Sequence, residues 1–141
     1  MMKDQKAKFI KAIEEGWNKG NMDAWDEFYA PGLIHHRPPL PDFNSLEEEK
    51  ESIKGTLSAF TNSKITVHEI ISENDITAWR WTWTATHTGQ SPSLPIPPTG
   101  KDITLAGCNI DLWKEGRIVE EWEYSDYLGF LQQLGVIPPL G

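Results

Sequence analysis

Residues 76–88 read ITAWRWTWTATHT, and this stretch decides the fold class. Its apolar and polar side chains alternate with a period of two, which predicts a β-strand whose two faces meet different surroundings. Threonine and tryptophan also suit pleated strands. The two faces carry different residues: Trp79, Trp81 and Trp83 on one, and Arg80, Thr82 and Thr84 on the other. The length of the stretch predicts a curved central strand.

The sequence downstream of this strand predicts a loop, a hairpin and a closing helix. Residues 90–100 contain four prolines and two serines, so they form the loop. Residues 103–113 and 117–125 are two further strands that pair across a glycine-containing turn. Asp126 follows the last strand, and leucines at three-residue spacing then predict a short helix that Gly135 ends.

The sequence upstream predicts three helices. Apolar residues at three- and four-residue spacing place a first helix at residues 4–20 and a shorter one at residues 21–30. The shorter helix stops there because Pro31 disfavours helical geometry in its predecessor. Residues 37–41 hold three prolines and predict a loop, and the capping box of residues 45–48 starts the third helix.

The order of the elements predicts the architecture. From Lys64 the period changes to two, so the strands begin after the helices. Helices followed by an antiparallel sheet predict an α+β fold. Neither a repeat nor a shift in composition divides the chain, so residues 1–141 are predicted to form a single domain.

Composition and charge exclude several classes of partner. The net charge of −8 repels phosphate backbones and anionic lipid surfaces, so neither nucleic acid nor membrane is an expected partner. The chain has no apolar run of about 20 residues and its N-terminus lacks the features of a signal peptide, which predicts a cytoplasmic protein. Cys108 is the single cysteine, so no intrachain disulfide forms.

Five segments together resemble the SnoaL-like polyketide cyclase (ester cyclase) family of the NTF2-like superfamily. These are EGWNKGNMDAWDEFYAP (15–31), LIHHRP (33–38), ITAWRWTWTATHTG (76–89), IPPTGK (96–101) and GRIVEEWEYSDYLGFLQQLG (116–135). The most specific part is the order of THTG, PPTG and EEW, with an Asp four residues after the Trp. The resemblance implies a cone-shaped fold, in which N-terminal helices pack on a strongly curved antiparallel sheet that encloses an apolar pocket.

The resemblance also implies a reaction and its residues. Cyclases of this family use an aspartate near the end of the last strand as general acid/base in an intramolecular aldol closure, without metal or cofactor. Asp126 matches this aspartate, His87 matches a histidine near the reacting oxygen, and His36 best matches an early-strand histidine. The expected ligand is a small hydrophobic molecule, such as a carbonyl-containing polyketide or ring, that is cyclised or isomerised.

Two structural roles are open for Asp126. Burial beside aromatic rings would raise the pKa of the carboxyl towards the range of a proton shuttle, whereas capping the closing helix would lower that pKa. A regular pleat in the last strand places three side chains on the same face as Asp126, and these are candidate substrate contacts: Glu120, Trp122 and Tyr124.

Further candidates depend on which strand face lines the pocket. Arg80 could bind a carboxylate or an enolate, or could form an ion pair with a glutamate. Arg80 and His87 are separated by an odd number of residues, so they share a face only if a β-bulge lies between them. Trp17 on the first helix is another expected substrate contact. His35 and His36 point to opposite strand faces, so this pair is not expected to bind a metal.

Two alternatives to the cyclase and one assembly state are open from the residues. The same pocket could bind a hydrophobic metabolite without chemistry, or an Asp/His pair could activate water in a hydrolase or dehydratase. A homodimer or higher homo-oligomer could form if the row Trp79, Trp81 and Trp83 lies on the outer sheet face.

Overall fold

The computed structural model describes residues 1–92 and 94–141. In this part of the chain, helices pack on one mixed sheet with the strand order β2-β1-β6-β5-β4-β3. The helices are α1 (Lys3–Lys19), α2 (Leu46–Ala59) and α3 (Tyr127–Gln133). The strands are β1 (Tyr29–Arg37), β2 (Leu40–Phe43), β3 (Phe60–Glu73), β4 (Ile76–His87), β5 (Asp102–Lys114) and β6 (Arg117–Ser125). Only β1 and β6 pair in parallel, so the predicted α+β class is confirmed.

The predicted second helix is a single 3-10 turn, Asp23–Glu27. The indole of Trp25 lies against Gly16 of α1 and donates from Nε1 to the carbonyl of Ala12 at 2.7 Å. The chain then joins the sheet at once, because the Phe28 carbonyl accepts a hydrogen bond from the β6 backbone at 2.7 Å. Sheet pairing therefore overrides the helical spacing of residues 28–30.

Two other boundaries differ from the prediction. The proline-rich segment expected as a loop, residues 37–41, is a turn only at residues 38–39. Its last two residues begin β2, which lies at the sheet edge, where a missing backbone N–H does not break the ladder. The strand expected from Lys64 begins four residues earlier, at Phe60, directly after α2. No helix in the described residues is both long enough and apolar enough to cross a bilayer.

The tryptophan row of β4 faces the interior. Trp79, Trp81 and Trp83 are 4–6% exposed and lie beneath α1 and α2. The C-terminal part of α1 is tied over them, because the Ser63 hydroxyl donates to the Trp17 carbonyl at 2.7 Å and accepts from Trp83 Nε1 at 2.7 Å. The placement of this row on the outer face is therefore wrong, and the homo-oligomer stays a prediction.

The contact between Trp25 and α1 allows a stability prediction. A methyl group added at Gly16 would lie 2.5 Å from the Trp25 ring, whereas one added at Gly55 of α2 meets nothing within 4 Å. We expect Gly16→Ala to lower the free energy of unfolding by about 1–3 kcal/mol through overpacking. Gly55→Ala is the control and should leave stability unchanged or raise it by up to about 1 kcal/mol. Urea unfolding measures both, and equal values for the two variants would contradict the prediction.

Candidate functional site

A cavity of about 110 Å³ lies between the two long helices and the concave face of the sheet. Its aromatic wall includes Trp17, Trp25, Tyr29, Trp79, Trp81 and Trp83. Its polar wall consists of His35, Arg37, Glu49, Asn109, Glu121 and Glu123. The sequence predicted an apolar pocket, whereas the cavity is apolar on one side and polar on the other. Trp17, predicted as a substrate contact, lines this cavity.

A β-bulge in β6 decides which residues of that strand face the cavity. Leu112 pairs with Glu120 and the next residue of β5 pairs with Ile118, so Val119 is the extra residue. The bulge shifts the alternation by one position. As a result Glu121 and Glu123 point inwards, and the predicted cavity placement of Glu120, Trp122 and Tyr124 is wrong.

These three residues lie on the outer side of the sheet. Glu120 Oε2 is 2.7 Å from His36 Nε2, Asp42 Oδ2 is 2.9 Å from His36 Nδ1, and the His36 ring packs on Trp122 with centroids 5.6 Å apart. Tyr124 is 56% exposed. The predicted contact of His36 with substrate in the cavity is therefore also wrong, because the other member of the histidine pair, His35, points inwards.

Arg80 and His87 occupy opposite faces of β4, as a regular pleat requires. Arg80 lies on the outer face and forms a two-point ion pair with Glu69, at 2.7 and 3.0 Å, so it does not reach the cavity. His87 is buried and stacks on Phe60 at 4.8 Å, and its Nδ1 bonds the Thr99 hydroxyl at 3.0 Å. His87 thereby anchors the proline-rich loop and is not part of the cavity lining.

Asp126 is exposed and caps α3. Its Oδ1 accepts a hydrogen bond from the Gly129 backbone at 2.9 Å, and the helix begins at the next residue. The predicted position in the cavity is wrong, and the helix-cap alternative is the one found. Asp126 has the same parity as the outward-facing residues Trp122 and Tyr124, because the bulge at Val119 lies upstream of all three.

The centre of the polar wall is His35, which is 3% exposed and lies among three carboxyl groups. Its Nε2 is 3.0 Å from Glu123 Oε1. Its Nδ1 is 3.0 Å from Glu49 Oε1 and 3.4 Å from Glu121 Oε1, and these two contacts are ion pairs rather than aligned hydrogen bonds. We call these four residues the His35 cluster. The sheet register aligns His35 of β1 with Glu121 of β6, and α2 adds Glu49 from above.

Asp111 lies behind the His35 cluster, and its charge acts on Glu121. Asp111 is fully buried, and its Oδ2 accepts from Trp79 Nε1 at 2.8 Å and from the Thr77 hydroxyl at 3.2 Å. Burial raises the pKa of Glu121 well above its ordinary value, and the nearby charge of Asp111 raises it further. Burial also raises the pKa of Asp111, but hydrogen bonds from Glu121 and Trp79 oppose this. Of these two carboxyl groups, Glu121 therefore has the more strongly raised pKa.

Comparison with known proteins identifies the family. The family model described as SnoaL-like polyketide cyclase matches residues 7–134. The chain belongs to the SnoaL-like polyketide cyclase family. No functionally curated protein matches it.

Solved structures of similar proteins agree with this family and fold. AclR from Streptomyces galilaeus, a candidate hydroxylase, has a TM-score of 0.81 at 25% identity over 100% of this chain and 87% of its own. IdmH from Streptomyces antibioticus, a candidate polyketide cyclase, has a TM-score of 0.74 at 28% identity over 93% and 99%. A Catenulispora acidiphila protein of ketosteroid isomerase-like fold has a TM-score of 0.71 at 13% identity over 89% and 91%, which shows the fold alone. The NTF2-like fold predicted from the sequence is confirmed.

The SnoaL-like chain also presents possible metal ligands. Nδ1 of His35 and one oxygen each of Glu49 and Glu121 lie within 4.8 Å of one another, and these are donor types that divalent metals use. Burial alone lowers the pKa of His35, but the charges of Glu49 and Glu121 and the hydrogen bond to Glu123 outweigh it and raise this pKa well above 6.5. A metal ion would therefore have to displace the Nδ1 proton. The prediction of a site without metal or cofactor stays a prediction.

The shifted pKa values predict how stability depends on pH in this SnoaL-like chain. His35 and Glu121 both have a higher pKa in the folded than in the unfolded state, so the stability that each contributes is lost as pH rises through its folded value. We expect the free energy of unfolding to fall by at least about 1 kcal/mol between pH 5.5 and 8.5, because one pKa unit corresponds to about 1.36 kcal/mol. Urea unfolding at both pH values measures this.

The variant Glu121→Gln should flatten this pH profile, since glutamine has no proton to lose. The exposed His68, which bonds the Thr82 hydroxyl on the outer face, provides the control His68→Gln. If the pH dependence of stability were unchanged in Glu121→Gln, or if wild-type stability rose up to pH 8.5, the raised pKa of Glu121 would be contradicted.

Proposed function

We propose that the cavity is the active site of a cofactor-free acid/base enzyme that acts on a hydrophobic, carbonyl-containing polyketide-like or ring substrate. The observation that carries the proposal is the buried His35 held against Glu123 inside a partly aromatic cavity. The reaction class is proton abstraction next to a carbonyl, followed by aldol cyclisation or isomerisation. The NTF2-like fold supplies the cavity, and the residues of the site supply the chemistry.

Glu123 is the proposed general base. Its side chain is 25% exposed and lines the cavity, so a substrate can reach it, whereas Glu121 is 1% exposed and its pKa is raised well above the ordinary value. Glu123 takes a proton from the carbon next to the carbonyl, the C–H electron pair forms a C=C bond, and the carbonyl electron pair moves to oxygen. The His35 imidazolium holds the carboxylate in place through its 3.0 Å contact.

The enolate formed in this step has two onward routes. In an isomerisation, Glu123 returns the proton to a different carbon of the same substrate. In a cyclisation, the enolate carbon attacks a second carbonyl, a C–C bond forms, and Glu123 returns the proton to the new alkoxide. Both routes return Glu123 to its starting protonation state, and neither oxidises or reduces the substrate overall, so neither requires a redox cofactor.

Asn109 is the proposed donor to the enolate oxygen. Its Oδ1 accepts from Trp81 Nε1 at 2.8 Å, which orients the amide so that its NH₂ group is directed away from Trp81. Asn109 lines the cavity and is 4% exposed, so water competes little for this donor. Donors held in a dry site stabilise a developing oxyanion strongly.

Exchange of α-protons for deuterium tests the proposal directly. Cyclic ketones from cyclopentanone to 2-tetralone are incubated with the protein in D₂O, and the loss of the α-proton signal is followed by NMR. We expect the protein to accelerate exchange of at least the larger ketones well beyond the rate in buffer. Ketones that bind, as judged by tryptophan fluorescence, but exchange only at the buffer rate would identify a binding protein instead.

A further inference from the structure

We infer that the substrate of this cavity carries an ammonium group beside its apolar rings. The inference rests on the proposed function, because it names the substrate class of the same site. It is carried by three observations: an excess of carboxyl groups over basic groups, a buried carboxylate oxygen without a hydrogen-bond partner, and an aromatic wall that offers π faces but few donors.

The carboxyl groups of the site outnumber its basic groups. Glu49, Glu121 and Glu123 line the cavity and Asp111 lies directly behind it against Trp79, whereas the basic groups are those of His35 and Arg37. Carboxyl groups without a counterion are costly at a site shielded from water. A bound cation would compensate this excess.

Arg37 compensates the inner part of the site only weakly. Its guanidinium carbon lies 3.8 Å from the centre of the Phe43 ring, and its Nε donates to the Pro41 carbonyl at 3.0 Å. Both partners belong to the edge strand β2, so the guanidinium is held towards the rim. His35, which Glu123 and Glu121 share, is therefore the close ion-pair partner of Glu49, while the charge of Arg37 acts on Glu49 and Glu123 from further away.

Glu49 presents the oxygen that a cationic ligand would use. Its Oε1 contacts His35, but its Oε2 is buried and has no hydrogen-bond partner in the part of the chain that the structure describes. The residue is only 6% exposed and lines the cavity. Burying a carboxylate oxygen without a hydrogen-bond donor is unfavourable. An ammonium N–H, or a methyl group of a quaternary ammonium ion placed against the oxygen, would offset this cost.

The aromatic wall favours a cation over an anion. Four of its indole N–H groups are already used: Trp25 donates to a carbonyl of α1, Trp79 to Asp111, Trp81 to Asn109 and Trp83 to Ser63. These rings therefore offer a ligand no N–H donor, only their apolar and π surfaces. Aromatic faces attract ammonium groups and give nothing comparable to carboxylates.

Three compounds of nearly equal shape test the inference on the wild-type chain. They are choline, the neutral alcohol 3,3-dimethyl-1-butanol and the anion 3,3-dimethylbutyrate, titrated with EDTA present so that metal ions do not contribute. Binding is followed by tryptophan fluorescence and by shifts of the indole N–H signals in NMR. We expect choline to bind at least about tenfold more tightly than the alcohol, and 3,3-dimethylbutyrate to bind most weakly. Binding of the alcohol or of 3,3-dimethylbutyrate as tight as that of choline, or tighter, would overturn the inference.

A pair of variants on one helix assigns the preference to the site. Glu49→Gln should reduce the ratio of the choline affinity to the alcohol affinity towards one. Glu47→Gln, at an exposed position two residues away, should keep the wild-type ratio. A ratio unchanged in Glu49→Gln would overturn the role of this carboxylate. If this variant does not fold, Glu123→Gln is the second test, with the same expected loss of preference.

The binding and exchange experiments fail independently. Preferential binding of choline without accelerated ketone exchange would contradict only the proposed reaction. Accelerated ketone exchange without preferential binding of choline would contradict only the ammonium inference, and the absence of both would contradict both.

Discussion

Glu123→Gln is expected to lower the rate of α-proton exchange by about 10²–10⁴-fold, the contribution typical of a positioned general base. Glutamine keeps the size of the side chain and can still contact His35 Nε2, but it cannot accept a proton from carbon. Ketone affinity measured by fluorescence should change far less than the exchange rate. The measurement is deuterium exchange by NMR at saturating ketone, so that a change in binding does not imitate a change in chemistry.

Two further variants make this result specific. Glu47→Gln removes an exposed carboxylate of α2 and should leave exchange unchanged. Asp126→Asn tests the position that the sequence resemblance assigns to the general acid/base, which in the structure is exposed and caps α3. If Asp126→Asn abolished exchange and Glu123→Gln did not, the proposed base would be wrong and the resemblance would be right.

The strand β4 shows what the local sequence pattern can predict and what it cannot. The period of two in β4 correctly predicts that the three tryptophans share a face and that Arg80 and His87 lie on opposite faces. The period does not say which face the helices cover. That choice depends on contacts such as Trp17 against Trp83, at 5.6 Å, between residues far apart in sequence. Alternation therefore fixes the partition of side chains but not their environment.

The inward residues of β6 were hidden by one extra residue. A regular alternation from Ile118 includes Asp126 and excludes Glu121, and the bulge at Val119 reverses this. The neighbouring strand held a usable signal. Asn109 and Asp111 share parity with the buried Ile103 in β5, so polar groups were due on the inner face, where they require partners.

The His35 cluster could not be assembled from local patterns. Its members come from β1, α2 and β6, and His35 meets Glu123 across 88 positions of sequence. The parallel pairing of β1 with β6 makes this contact, and no local period predicts the register of two strands so far apart. The predicted fold was therefore sufficient to expect a cavity at the concave face, while the identity of its acid/base groups required the register.

His35→Ala is expected to lower the free energy of unfolding by about 3–5 kcal/mol, the cost of removing one partner from a buried set of charges. The histidine is 3% exposed and is the shared counterion of Glu49, Glu121 and Glu123. The change removes the close ion-pair partner of these carboxyl groups and opens space beside the ring of Phe43, which packs on His35 at 5.6 Å. Urea unfolding near pH 6, where the imidazolium is fully formed, measures the loss.

The adjacent histidine is the matched control, since His36 lies on the same strand but faces outwards. It pairs with Glu120 and Asp42 near solvent, so His36→Ala should cost at most about 1 kcal/mol. If the cost at His35 arises from unbalanced charge, the double variant His35→Ala, Glu49→Gln should be more stable than the sum of the two single changes predicts. Strict additivity, or a loss no larger than that of His36→Ala, would mean that His35 stabilises the fold by packing alone.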